Sequence, residues 1–272
     1  MKLTFLGTGT STGVPFIGCE CEVCTSEDPR DNRLRVSILI EQGAQKILVD
    51  TSADFRQQAL RHKITRLDAV LITHSHVDHI FGMDDLRALN FRHGAIGIYA
   101  DERVWTDLRR VFQYVFNPTH VGGGLPQFVP HIVEPNAAFS FAENLTVTPL
   151  TVIHGRLPIL AYRFNDFAYC TDLSEIPAET MNQLKNLDVL ILDCVRNKPH
   201  PSHFGLEQAL ACIAELKPKR AFLTHMNHEF LYARDSKRLP DNVQFAYDGL
   251  IVRDEQDFKK ERKNYERLEF EG

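Results

Sequence analysis

The chain has 272 residues, with 31 Lys and Arg against 36 Asp and Glu for a formal charge of −5, and 43% of its residues are hydrophobic. That is enough chain to bury a sizeable core, and a mildly acidic balance argues against a general nucleic-acid or acidic-membrane binder. No apolar stretch approaches the ~20 residues that a membrane helix needs, and the start M-K-L-T-F-L-G-T-G-T reaches Gly7 too soon for a signal-peptide core. These features predict a cytoplasmic protein with no membrane partner; the length fits one large domain or two small ones, and with no linker visible the expectation is one domain over residues 1–253 ahead of a highly charged tail over 254–272.

The first predicted strand is Leu3–Leu6. The run that follows, G-T-G-T-S-T-G-V-P, lacks the Lys of a nucleotide-binding P-loop and does not clearly open a helix. Cys19, Cys21 and Cys24 come next in G-C-E-C-E-V-C. In a reducing compartment such crowding points to a metal rather than a disulfide. Three thiolates need one more ligand for a closed tetrahedral zinc site, and His228, far downstream in T-H-M-N-H, is the candidate. The other cysteines, Cys170, Cys194 and Cys212, sit in apolar surroundings and read as core residues.

Strands are predicted at Arg35–Ile40 and Lys46–Val49, a helix at Asp54–Arg61, and a strand at Ala69–Ile72. Directly after that strand stands T-H-S-H-V-D-H. His74, His76, Asp78 and His79 put three imidazoles and a carboxylate within six residues, a donor set that suits zinc, manganese or iron. A helix over Met83–Leu89, a strand over Gly97–Tyr99 and a helix over Asp101–Phe112 follow. The Gly- and Pro-rich Asn117–Pro130 reads as a loop. Further strands are predicted at Leu145–Leu150, Phe167–Cys170, Val189–Leu192 and Ala221–Leu223, with helices at Ala178–Leu184 and Leu206–Leu216. This alternation implies α/β layers. Asp50, His74, Asp172, Asp193 and His225 each fall just after a strand, where loops off a rigid sheet edge can converge.

The motif H-S-H-V-D-H resembles the signature of the metallo-β-lactamase superfamily. The resemblance implies a four-layer αββα sandwich with a dinuclear centre at one edge of its two sheets. It also implies which downstream residues complete the centre: His154, Asp172 and His225, all in the expected order. The first metal would then be held by His74, His76, His154 and Asp172, and the second by Asp78, His79, Asp172 and His225, with Asp172 bridging. Asp50 matches a position that supports the metal loop by hydrogen bonds without being a ligand. Two cations ~3.5–4 Å apart can share one hydroxide and offset the charge of a phosphoryl oxygen.

The start L-G-T-G-T-S-T-G-V-P, the cysteine cluster and the T-H-x-x-H ending narrow the resemblance to the PhnP-type branch of phosphoribosyl cyclic-phosphate phosphodiesterases, from Leu3 to about Val252. In that branch Cys19, Cys21, Cys24 and His228 match a structural zinc site. His203, in P-S-H-F-G-L, matches a histidine that helps with phosphate binding or leaving-group protonation. It ranks above His200 because S-H opens the helical run, with Ser202 as a cap. The expectation is a phosphodiesterase that uses two divalent cations, zinc or manganese, on a small cyclic or ribose-containing phosphate ester through a metal-bridging hydroxide. Asp78, Asp172 and His203 are its catalytic residues. The branch often forms homodimers. A tRNA 3′-processing endonuclease is the alternative enzyme, but no long basic insertion offers a tRNA-binding arm. A non-catalytic, metal-stabilised binding protein would lack ligands, and none of the seven is missing.

Overall fold

The computed structural model describes residues 1–119, 124–142 and 144–254. Short runs rich in β-branched and aromatic residues build two seven-stranded sheets. The strands of the first are β1 (Lys2–Gly7), β2 (Ser37–Gln42), β3 (Gln45–Val49), β4 (Ala69–Leu71), β5 (Ile96–Ala100) and β6 (Phe128–Ile132). The second holds β7 (Phe139–Ala142), β8 (Leu145–His154), β9 (Leu157–Phe164), β10 (Phe167–Cys170), β11 (Val189–Asp193), β12 (Arg220–Thr224) and β13 (Val243–Phe245). The final strand, β14 (Ile251–Arg253), returns to pair with β1 and completes the first sheet.

The two sheets share a plan. Strands β1 to β3 run antiparallel and β3 to β6 parallel, while β7 to β10 run antiparallel and β10 to β13 parallel. The parallel halves need crossover connections, which supply helices to the outer faces. These are α1 (Phe55–Arg61), α2 (Val77–Ile80), α3 (Arg87–His93), α4 (Glu102–Val111), α5 (Gln113–Phe116), α6 (Ala178–Gln183), α7 (Leu206–Leu216) and the short α8 (Tyr232–Asp235). Helix α4 is well specified locally. Asp101 caps it by accepting from the Val104 N–H at 2.7 Å, Glu102 lies in its first turn, and Arg109 and Arg110 lie in its last.

Three apolar layers hold the stack together. Between the sheets, Phe5, Ile38 and Ile47 meet Tyr162, Ile191 and Phe222. Outside the first sheet, Leu48, Val70 and Ile98 pack under the buried Trp105 and Leu108 of α4. Outside the second, Ala168, Leu190 and Leu192 pack under Ala209, Ile213 and Leu216 of α7. The result is the four-layer αββα sandwich of the expected fold class. Among the described residues, no helix is long and apolar enough to cross a membrane.

Several elements differ from the sequence reading. The helix expected over Met83–Leu89 is a 3₁₀ turn over Phe81–Leu86 that runs into α3. Gly82 lets this turn approach the backbone beneath it: a Cβ there would stand 2.2 Å from the Ser52 carbonyl oxygen. Of the expected loop over Asn117–Pro130, residues 120–123 lie outside the described residues, and its end forms β6, which accepts Pro130 because it is an edge strand with one unpaired side. Ser202 does not cap α7. Gly205 occupies that position, and its N–H donates to Gln208 Oε1 at 3.0 Å. Strand β9 continues from β8 through the turn at Gly155 (φ 65°), which leaves His154 at the tip of a long ladder. Of the expected charged tail, residues 255–272 lie outside the described residues.

Candidate metal centre

The C-terminal ends of the parallel strands converge. Asp50 follows β3, His74 follows β4, Asp172 follows β10, Asp193 ends β11 and His225 follows β12. All five side chains are almost fully buried. Asp50, Asp172 and His225 turn the chain with φ of 61°, 57° and 59°. This left-handed region is sparsely used by residues with a Cβ, and its occurrence at three converging strand ends marks a functional site.

Asp50 acts as the keystone beneath the H-S-H-V-D-H turn. Its carboxylate accepts from the Thr73 N–H at 2.8 Å, from Thr73 Oγ1 at 2.9 Å and from His79 Nδ1 at 2.7 Å. His79 therefore carries its proton on Nδ1 and presents Nε2 to the interior of the site. There Nε2 lies 3.2 Å from Asp172 Oδ2 and 3.4 Å from Asp78 Oδ2. A second anchor is Ser75, whose hydroxyl donates to Asp107 of α4 at 2.6 Å. His74 Nε2 and His76 Nδ1 stand 3.0 Å apart, and His154 joins them with its donor atom within 4.8 Å. His154 Nδ1–H donates to the Ser202 carbonyl at 2.8 Å, which again leaves Nε2 bare.

Asp172 faces both groups of donors. Its Oδ2 is 3.8 Å from His74 Nε2, and its Oδ1 is 3.3 Å from His225 Nε2. Burial alone would raise its pKa, but the imidazoles of His225, His79 and His74 hold it well below the usual carboxylate range. Asp78 behaves alike: burial opposes ionisation, and His79 and His225 overcome it. Conversely, burial disfavours a charged His225, yet Asp172, Asp193 and Asp78 push it up to about 10.

These residues fit divalent metals. The outward nitrogens of His79 and His154 are committed to protein acceptors, while the buried inward Nε2 atoms of His79 and His225 have no hydrogen-bond partner among the described residues. Ionised carboxylates and imidazoles facing one point are the donors that such cations take, a bound cation displacing the proton that the carboxylates otherwise favour on His225. The predicted ligands fall into two groups, with Asp172 in the second and its Oδ2 3.8 Å from His74 Nε2 of the first. His74, His76 and His154 form one group, and Asp78, His79, Asp172 and His225 form the other, with donors mutually within 4.8 Å in each.

A separate cluster brings Cys19, Cys21 and Cys24 to His228. Their sulfurs lie 3.3, 3.5 and 3.4 Å from His228 Nδ1. Ligands at ordinary Zn–S and Zn–N lengths on a tetrahedron would be separated by about 3.5 Å, so the four side chains fit one zinc ion. The cluster is held on two sides. The Phe16 N–H donates to Cys24 Sγ at 3.3 Å, and the Phe16 ring stacks on His228. The glycine-rich start runs between the two sites: Thr10 N–H donates to the Met226 carbonyl, and Met226 N–H donates to that of Thr8. Its glycines serve close backbone approach, since a Cβ on Gly7 would sit 2.0 Å from the Arg35 carbonyl oxygen.

His203 lies beside the His/Asp donors, and its ring nitrogen is within 4.8 Å of donor atoms of His154 and Asp172. Its ring stacks on His225 at 4.9 Å and lies 4.7 Å from that of His154. Its Nδ1 is 3.3 Å from Asp193 Oδ2. Asp193 was visible in the sequence only as an acid after a strand. In the fold it also accepts from the Asp172 N–H at 3.2 Å and the Phe204 N–H at 3.0 Å, and it lies 3.4 Å from His225 Nδ1. One carboxylate thus contacts the backbone of Asp172 and the rings of His225 and His203. Its burial after a strand was the available signal, but no sequence rule reveals such a set of partners.

The β-lactamase superfamily domain model matches residues 45–226 of the chain. The chain belongs to the metallo-β-lactamase superfamily. Within the superfamily, a crystal structure of a diphosphatase from the PhnP family is 41% identical, with a TM-score of 0.86, over 92% of this chain and 96% of that one. The octanoyltransferase of Porphyromonas gingivalis (strain ATCC BAA-308 / W83) is 43% identical over 253 residues, 92% of this chain but 51% of the relative. Ribonuclease Z of Synechococcus sp. (strain CC9902) is 26% identical over 71% of this chain and 60% of its own length. The chain therefore spans only about half to three-fifths of these two curated relatives. Human short-form tRNase Z shares the superfamily fold at a TM-score of 0.68 and 18% identity. This superfamily member carries a His/Asp donor set that suits divalent metals.

Proposed function

We propose that this hydrolase is a phosphodiesterase acting on a small cyclic or ribose-containing phosphate ester. The observation that carries the reading is the Asp193–His203 pair beside the metal donors, with His203 Nδ1 at 3.3 Å from a carboxylate buried at 0% exposure. An imidazole that is backed by a carboxylate and is not required as a ligand is equipped to deliver a proton to a departing alkoxide. The PhnP-family relative, a diphosphatase, also breaks a phosphorus–oxygen bond.

In this reading His74, His76, His154 and Asp172 hold one divalent cation, and Asp78, His79, Asp172 and His225 hold a second, either zinc or manganese. When bound, such a pair lowers the pKa of water towards neutrality and offsets charge on a phosphoryl group. The chain's own residues do the rest. Asp50, Ser75 and the Ser202 carbonyl fix the ligand rings, and Asp193 aims His203. Its Nε2–H is the proton source on the leaving-group side. Cys19, Cys21, Cys24 and His228 hold a third, structural zinc.

The test is hydrolysis of a bis-aryl phosphate diester, a panel of cyclic ribose phosphates and a nucleoside diphosphate by the metal-loaded protein, with Asp172→Ala alongside. Turnover of a diester that needs both metal and Asp172 supports the reading. Cleavage confined to the diphosphate, to an octanoyl ester or to a tRNA precursor would replace it.

A further inference from the structure

A histidine outside the ligand set is also fixed in one tautomer. His200 is half-buried, and its ring lies 5.0 Å from that of His203. Its Nδ1 accepts the Ser202 backbone N–H at 3.3 Å and lies 3.2 Å from Ser202 Oγ. An imidazole nitrogen that accepts a backbone N–H carries a lone pair, so the proton of neutral His200 resides on Nε2. Ser202 sets the opposite tautomer in His154, because its carbonyl accepts the His154 Nδ1–H at 2.8 Å. The seat of Ser202 is tight: a Cβ on Gly155 would approach the Ser202 Cβ to 3.3 Å. One residue thereby makes His154 a bare-nitrogen donor and His200 an N–H donor.

We infer that His200 is a substrate-binding residue, whose Nε2–H donates to an oxygen of the phosphate ester outside the metal cradle, with Ser202 as its positioning residue. This rests on the phosphate-ester reading of the site. A neutral donor at the rim binds ground and transition states alike, so its effect falls on KM and leaves kcat largely unchanged. His203, aimed by Asp193 at the reacting centre, affects kcat instead.

Two substitutions separate donor geometry from bulk. The amide nitrogen of Gln reaches roughly the place of Nε2, whereas that of Asn falls near Nδ1. With the bis-aryl diester, His200→Asn should raise KM about tenfold at nearly constant kcat, and His200→Gln should restore most of the loss. Unchanged KM in His200→Asn, or equal damage in both variants, would overturn the assignment. Two readouts do not need turnover. Nitrogen-15 NMR of the zinc-loaded protein should show His200 with a lone pair on Nδ1, and a proton there overturns the inference. Titration with inorganic phosphate should weaken about tenfold in His200→Asn and not in His200→Gln. If wild-type protein fails on every diester while this phosphate pattern holds, the reaction assignment falls and the role of His200 stands. Equal phosphate affinity in all three proteins removes it.

Discussion

Asp193 shows how a single carboxylate can govern several functional groups. It faces His203 and His225 and accepts from the backbone of Asp172 and Phe204. His203→Ala should leave the catalytic metal content intact, measured by atomic emission, and lower kcat by about 10²–10⁴, the usual worth of a positioned acid. Asp193→Ala should do more. Besides lowering kcat, it frees His225 and Asp172, so its metal content should fall as well. If Asp193→Ala keeps full metal occupancy, its role as an organiser is confined to His203. The H-S-H-V-D-H residues were legible because four candidate ligands lie within six positions. Asp193 was not, because its partners at 172, 203, 204 and 225 meet only after the strands align.

Elements carry two further consequences. The cysteine loop and the segment around Met226 are joined through His228 and the Thr8–Thr10 backbone. Cys21→Ser should therefore lower thermal stability and remove one zinc per chain while diester turnover persists at permissive temperature. Unchanged zinc content would contradict the structural site. The second consequence concerns Asp248, which ties the end of β1 to the approach to β2 by accepting from Thr8 Oγ1 and the Leu34 N–H, both at 2.8 Å. Burial raises its pKa from 3.8 to about 7, despite hydrogen bonds and Arg61 at 3.7 Å. The folded state thus holds a proton that the unfolded chain releases near pH 4. Its contribution is greatest at low pH and is lost as the pH rises towards 7, at roughly 1 kcal/mol per pH unit. Asp248→Asn should flatten this component, so that its stability relative to wild type improves between pH 5 and pH 8 in denaturant titrations. Most of the longer strands were legible from their apolar runs, but the eight-residue β9 and the edge strands β6 and β7 were not. The three-residue β13 and β14 were not, because their pairing with β12 and β1 defines them more than their composition.

At the scale of the whole molecule, two sheets of the same plan meet face to face, and the site forms where their parallel halves end. Every candidate catalytic-metal ligand lies on a segment leaving one sheet or the other, so bound cations would clasp both. Removing them with a chelator should lower the Tm by several degrees, read by calorimetry, and adding zinc or manganese back should restore it. The α/β class was legible from alternating periodicities. The stacking of two sheets was not; it came with the family resemblance, because a hydrophobic strand does not specify which sheet will cover it.

The left-handed backbone at Asp50, Asp172 and His225 also limits which side chains evolution or an experimenter can place there. Asparagine and glycine tolerate that conformation, whereas alanine carries a penalty of about 1 kcal/mol from its Cβ. An alanine scan of the centre would therefore mix lost coordination with a distorted strand end. Asp172→Asn, compared with Asp172→Gly, separates the lost negative charge from the lost side chain without straining the backbone, and the same pair of replacements serves at Asp50.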